Sequence, residues 1–230
     1  MPNSIFGTNT GSNNNRKSPL YRAPFSSRFT DFEESGKNYI LIGFTPGLAL
    51  QAAELNEIQD NFHKNLTLSN LMFSNWVPYV SQFIKDNDTP VITDILWDGV
   101  VPLDPTQVSK DINNNITFNT GWYYYTHGSG LCFWVHTPTQ FIINAQSAVL
   151  NTSTPSYVGF SINTRDIFAT DDNRLYDNSS GSPNTASPGA YRVAHDFMSI
   201  NISTSPSQYK NILTIQNGSI IWPNGIPLGA

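Results

Sequence analysis

From residue 91 to residue 222 the sequence is a succession of short apolar runs separated by turn residues. The runs are VITDILW (91–97), NITFNTGWYYYTH (115–127), LCFWVHT (131–137), QFIINAQSAVL (140–150), YVGFSIN (157–163), FMSINIS (197–203), ILTIQ (212–216) and SIIW (219–222). They are rich in β-branched and aromatic residues and bounded by Gly, Pro, Asn, Asp or Ser, which is the pattern of strands. Eight candidate strands with turns about every ten residues predict a β-sandwich or a fibre-type β-domain. Charge usage agrees. All four glutamates (Glu33, Glu34, Glu54, Glu57) precede residue 60, and a Glu-free stretch rich in Thr, Val, Ile and aromatics suits sheets better than helices.

The N-terminal part reads differently. Residues 1–36 are dominated by Gly, Asn and Ser, with Pro19 and Pro24 as breakers, so they predict an extended arm without periodic structure. Phe6, Leu20, Tyr21 and Phe25 stand out there as apolar anchors. The arm is either a solvated tail or a segment ordered against a neighbouring subunit. Residues 37–86 predict a strand followed by a helix. YILIGF (39–44) has the length and bias of one buried strand. Thr45 is a suitable N-cap, with Pro46 at the first helical position and Gly47 after it.

Leu48, Ala52, Leu55, Ile58, Phe62 and Leu66 then recur at spacings of three and four, marking one apolar helix face. Leu48, Leu55 and Phe62 also lie seven apart, as a short coiled-coil seam requires. Pattern alone favours packing of this face into the chain's own core. The helical pattern weakens through HKNLTLSNLMFSNWVPYVSQFIKD, with Pro78 as the expected break, and NDTP (87–90) marks the boundary of a β-rich region, 87–230. The predicted fold is thus mainly β, with a short N-terminal helical segment behind an extended arm.

Only 13% of the 230 residues are charged, and the net charge is −5. That is about half the usual charged fraction and offers no footprint for a phosphate backbone, so no nucleic-acid partner is expected. The single cysteine, Cys132, rules out an internal disulfide framework. No apolar run reaches the roughly 20 residues of a membrane-spanning helix, and the first residues lack the apolar core of a secretory signal.

Signs of catalysis are thin. The chain has no Walker loop, dinucleotide fingerprint or HExxH motif. His127, Cys132 and His136 lack a further ligand at zinc spacing. TDDN (170–173) lacks the glycine and terminal glutamate of a calcium loop and reads as a turn within the long polar stretch 169–191. Asp94 and Asp98 have no fixed separation that would make them a carboxylate pair. No enzyme activity, metal or other cofactor is expected. The remaining lead is aromatic. Trp122, Tyr123, Tyr124, Tyr125, Phe133 and Trp134 crowd one hairpin, GWYYYTHGSGLCFWVH, turned at Gly128-Ser129-Gly130. Either that strand is buried on both faces, or Trp122, Tyr124 and Trp134 offer contacts to a glycan or another subunit.

GKNYILIGFTPGLALQAAELNEIQ (36–59) resembles the N-terminal module of tail and baseplate structural proteins of large tailed bacteriophages, including cyanobacterial ones. That module has Lys-Asn-aromatic, a short apolar strand, Phe-x-Pro-Gly, and a helix reading Ala-Leu-Gln-Ala-Arg-Glu-Leu-Asn-x-x-Gln. Lys37, Asn38, Tyr39, Phe44, Pro46, Gly47, Ala49, Leu50, Gln51, Ala52, Glu54, Leu55, Asn56 and Gln59 fit it, as does RFTDFEES upstream. Ala53 stands where the family often has Arg, so an ion pair from that Arg is not expected here. The resemblance covers about residues 20–70. It implies a structural virion protein of the tail or baseplate, synthesised in the host cytoplasm. Such a protein would assemble with other virion proteins and as a homo-oligomer, a trimer being favoured. It also implies an assembly interface at Phe6, Tyr21, Phe25, Pro46, Gly47, Leu48, Gln51, Leu55 and Phe62, with a tail-borne receptor or glycan-binding module as the alternative role.

Overall fold

A computed structural model of the protein describes residues 38–47, 50–87, 97–127, 131–151, 153–176, 187–205 and 209–229. Over these residues the fold is mainly β with one long helix. Strand β1 (Tyr39–Gly43) precedes helix α1 (Ala52–Asn87). There follow β2 (Val100–Pro102), β3 (Val108–Lys110), β4 (Asn115–Phe118), β5 (Gly121–Thr126), β6 (Cys132–Thr137) and β7 (Phe141–Asn144). After the one-turn helix α2 (Gln146–Leu150) come β8 (Ser156–Ile167), β9 (Tyr191–Ser203), β10 (Lys210–Gln216) and β11 (Ser219–Ile221). The strands form a five-stranded sheet in the order β1-β9-β8-β10-β11 and two three-stranded sheets, β2-β5-β6 and β3-β4-β7.

The chain divides into two compact units. One takes residues up to Leu66 together with Thr164–His195; the other takes Thr67–Asn163 and Asp196 onward. In the first, β1 pairs antiparallel with the start of β9, setting Tyr39 opposite Ala194 and Ile42 opposite Arg192. A small apolar cluster of Tyr39, Ile167, Ala169, Leu175 and Ala194 forms there, with Tyr176 against it. The Tyr39 hydroxyl donates to Asp172 at 2.9 Å. Asp172 also accepts from the Arg174 backbone amide and pairs with its guanidinium at 3.1 Å, so TDDN is a capped turn, as its sequence suggests.

The second unit is built around aromatic rings. Phe160 of β8 stacks on Phe197 of β9, with centroids 4.4 Å apart. Phe118, Tyr123 and Phe141 meet Phe160 edge-on, so all three sheets contribute a ring to one core. A second group, Trp76, Trp97 and Trp222, packs edge-to-face or tilted. Two of its indole N–H groups are accommodated by nearby carbonyls, Trp76 donating to Pro102 at 2.8 Å and Trp97 to Val100 at 3.0 Å. Tyr and Trp enter a core at low cost only when their polar tips find partners of this kind.

Several local expectations change. Pro46 and Gly47 form a turn rather than the helix start. Gly47 has φ +87°, the value a Pro-Gly type II turn needs at its second central residue. The helix begins at Ala52, with Gln51 and Glu54 exchanging bonds. The Gln51 carbonyl accepts the Glu54 amide, and the Glu54 carboxylate accepts the Gln51 amide, each at 3.1 Å. Pro78 does not end the helix, which runs 36 residues and so is not short. Both Pro78 and Ser74 lie on the exposed side, so the carbonyl left without a backbone partner faces water, while Trp76 and Val80 are held in the interior. The QFIINAQSAVL run divides into β7 and α2. All but Trp97 of VITDILW, and residues 128–130, lie outside the described residues. Among the described residues no helix is long and apolar enough to cross a membrane.

Candidate assembly interface

Helix α1 is amphipathic in an unusual sense. Residues 52–84 carry four charges, Glu54, Glu57, Asp60 and Lys64, and all four are buried. They recur at spacings of three and four, and the buried positions continue at spacings of four with Leu68, Met72, Trp76 and Val80. The other side carries Leu55, Ile58, Phe62, Leu66, Phe73 and Val77, all exposed; Leu55 is 46% and Phe62 65% accessible. The apolar stripe read from the sequence is real. Its expected direction, into the core, is corrected: it faces outward.

Partners far along the chain set this orientation. Arg192 of β9, fully buried, grips Glu57 with two hydrogen bonds, Nε to Oε1 at 2.8 Å and Nη2 to Oε2 at 2.6 Å. Its remaining nitrogen donates to the Ala190 carbonyl. The Ala190 amide in turn donates to Glu54. The bidentate fork is the strongest geometry available to an Arg–carboxylate pair. Lys64 completes the polar interior. Burial pulls its ammonium down to about 8, against the upward pull of Glu57 and Asp60. Burial, then the bond to Asp172, pushes the Tyr39 phenol above the usual tyrosine range. Turning α1 about its axis to bury Leu55 and Phe62 would bring Glu57 out and leave Arg192 buried without its carboxylate, which is costly.

Farther along, three bonds hold the second half of the helix. Trp134 donates to the Ser69 hydroxyl at 3.3 Å, Asn75 to the Leu103 carbonyl at 3.1 Å and Trp76 to Pro102.

Of the residues assigned to assembly, Leu55 and Phe62 lie on the outward stripe, Pro46 and Gly47 are exposed in the preceding turn, and Gln51 is half-buried at the helix cap. Phe6, Tyr21, Phe25 and Leu48 lie outside the described residues. The hairpin contacts are corrected. Trp122 and Trp134 are buried, so neither presents a ring to a sugar or to another subunit; Tyr124 is half-buried and packs edge-on against Trp134. β5 has consecutive buried residues at Trp122 and Tyr123, which means that both of its faces are covered. Cys132 lies 3.8 Å from the Thr126 hydroxyl and His136 beside Trp122. The Asp171 carboxylate accepts the Phe168 amide at 2.9 Å. Among the described residues no group of three or more His, Cys, Asp or Glu could hold a metal ion.

Sequence reasoning passed over the inward residues Glu54, Glu57, Asp60, Lys64 and Arg192. A signal for the first four was present, since they too recur at helical spacing. Nothing in the sequence tied Glu57 to an arginine 135 residues away. The chain matches no protein-family model, no curated protein and no solved structure.

Proposed function

We propose that this protein is a non-catalytic structural component of a bacteriophage tail or baseplate. In this reading it assembles through its N-terminal region and helix α1 with other virion proteins and with copies of itself. The observation that carries the assembly role is the outward stripe of α1. Six large apolar side chains stand in water while four charges are buried on the same helix. Taking a fully exposed side chain of this kind out of water is worth roughly 1.5–3 kcal/mol, and these six retain a large share of that gain, so the arrangement makes sense for a surface that becomes covered. The virion assignment draws on the resemblance of residues 36–59 to phage tail and baseplate modules. Low charge and abundant Asn, Ser and Thr accord with it. The glycan-binding alternative is the less favoured reading, because two of the rings it would use, Trp122 and Trp134, are interior.

The test is to purify particles produced from the genome that carries this gene and to locate the protein by mass spectrometry and cryo-electron microscopy. The protein is expected in the tail or baseplate, with α1 covered. Intact, infectious particles that lack it would sink the virion reading.

A further inference from the structure

We propose that Asn217 is a site of spontaneous deamidation in the folded protein, passing through a cyclic imide to aspartate and isoaspartate, while the second Asn-Gly pair, Asn224-Gly225, is protected by its own turn. This chemistry belongs to the chain itself and holds whatever the protein assembles with.

The step uses the main chain as nucleophile. The nitrogen of the residue after an asparagine attacks the side-chain carbonyl carbon. A bond forms between that nitrogen and Cγ, the Cγ–Nδ2 bond breaks, and ammonia leaves with the proton of the attacking amide. Water then opens the five-membered imide at either of its carbonyls. One opening leaves aspartate; the other leaves isoaspartate, in which the main chain runs through Cβ and Cγ. Glycine hinders the attack least, because it has no Cβ beside the nitrogen. This sequence sets Gly after Asn at 217–218 and 224–225 and nowhere else.

Steric access does not distinguish the two pairs. Gly218 and Gly225 are both exposed, with φ +76° and +90°, and a Cβ added to either would meet no atom within 4 Å. Hydrogen bonding does distinguish them. The Gly225 amide donates to the Trp222 carbonyl at 2.8 Å, which holds the attacking nitrogen in place. The Ile226 amide donates to Asn224 Oδ1 at 3.3 Å, which fixes the carbonyl under attack. Asn224 Nδ2, the group that must leave, is buried. The Trp222 amide closes the same loop on the Ile226 carbonyl at 2.8 Å, and both of those side chains are fully buried.

At the other pair these restraints are missing. Asn217 is exposed, and among the described residues neither its side chain nor the Gly218 amide makes a hydrogen bond. The two residues are the whole loop between β10 and β11, where Gln216 pairs with Ser219. Loop length fixes the register of a hairpin. Isoaspartate at 217 adds a main-chain carbon to that loop, so the product disturbs the pairing that carries Ile220 into the interior.

The experiment uses the full-length purified chain in warm, mildly alkaline buffer, with and without guanidinium chloride. No Lys or Arg follows Lys210, so one tryptic peptide carries both sites and serves as its own control. Mass spectrometry reads the gain of about one dalton, and fragmentation assigns it to a residue. In native buffer Asn217 should convert about tenfold or more faster than Asn224, since two ordinary hydrogen bonds must break before the second site reacts. In denaturant the two rates should be similar. Asn217→Gln should leave the native peptide unmodified. An Asn217 that reacts only in denaturant would overturn the proposal, because the folded turn would then protect it. So would comparable rates at the two sites in the folded chain, or an Asn224 that stays slow when unfolded.

Discussion

The two units of this protein solve the problem of an interior in different ways, and helix α1 contributes residues to both. Up to Leu66 the inward residues of α1 are charged, and the first unit meets them with Arg192 and the Ala190 backbone and holds only a small apolar cluster besides. From Thr67 onward the inward residues are Leu68, Met72, Trp76 and Val80, within a unit dense in aromatic rings. The aromatic interior gains stability in proportion to apolar area removed from water. The charged interior gains little net energy, because desolvation offsets much of the Coulomb attraction. What it supplies instead is direction. A helix anchored by a forked Arg–Glu pair has one inward face, whereas an apolar stripe alone could pack either way.

The largest expected effect tests that contrast at its centre. Glu57→Leu leaves the Arg192 guanidinium buried with only backbone carbonyls for partners. Removing one member of a buried pair costs about 3–5 kcal/mol, to be read as a lowered urea midpoint. The double variant Glu57→Leu/Arg192→Met removes both charges and should recover most of that loss. Its oligomeric state becomes the informative measurement, since a helix freed from its polar anchor can turn Leu55 and Phe62 inward. If the single variant lost under about 1 kcal/mol, far short of the cost of stranding a buried charge, the charged interior would not be what orients α1.

Next in size is a pH effect confined to the first unit. The Lys64 ammonium sits at about 8, below its ordinary 10.5. Between those values the unfolded chain binds the proton that the folded chain has released, so stability rises with pH across this window and is lost again as pH falls through 8. Between pH 8 and 10 the gain should reach about 2 kcal/mol. Above pH 10 the sign reverses. The phenols of Tyr39 and, in the second unit, Tyr123 are raised by burial, so the unfolded chain ionises first and stability declines. Lys64→Met should abolish the rise and leave the alkaline decline. A wild-type profile flat from pH 7 to 10 would show that Lys64 stays solvated.

The contrast also separates what the sequence could reveal from what it could not. Short apolar runs with turn residues between them announce sheets because their periodicity is local, and β4–β6 and β8–β11 fall where those runs lie. The Asn217–Gly218 turn between β10 and β11 has positive φ at both residues. It is the strongest short-range hairpin signal there is. The stripe on α1 was legible for the same reason as the strands. Its direction was not, because Arg192 reaches Glu57 across 135 residues and no local pattern encodes such a pair. Likewise, the aromatic crowding of β5 and β6 was visible, but whether both strand faces are covered depends on α1 and the neighbouring sheets.

The smallest effect comes from making one substitution in each unit. Tyr39 and Tyr123 both donate from a buried ring, Tyr39 to the Asp172 carboxylate at 2.9 Å and Tyr123 to the Asn119 carbonyl at 2.7 Å. Tyr→Phe keeps each ring and deletes only the hydroxyl. A hydrogen bond to a neutral carbonyl contributes about 1 kcal/mol net, and one to a charged group about 1.5–3. Tyr39→Phe should therefore cost roughly 1 kcal/mol more than Tyr123→Phe in urea unfolding. Arg174 pairs with the same carboxylate and holds Asp172 in place, which keeps the Tyr39 loss toward the lower end of that range. Equal costs at neutral pH would mean that Asp172 is neutralised by Arg174 alone, and the interior of the first unit would then owe its polar character to Glu57 and Arg192 rather than to this bond.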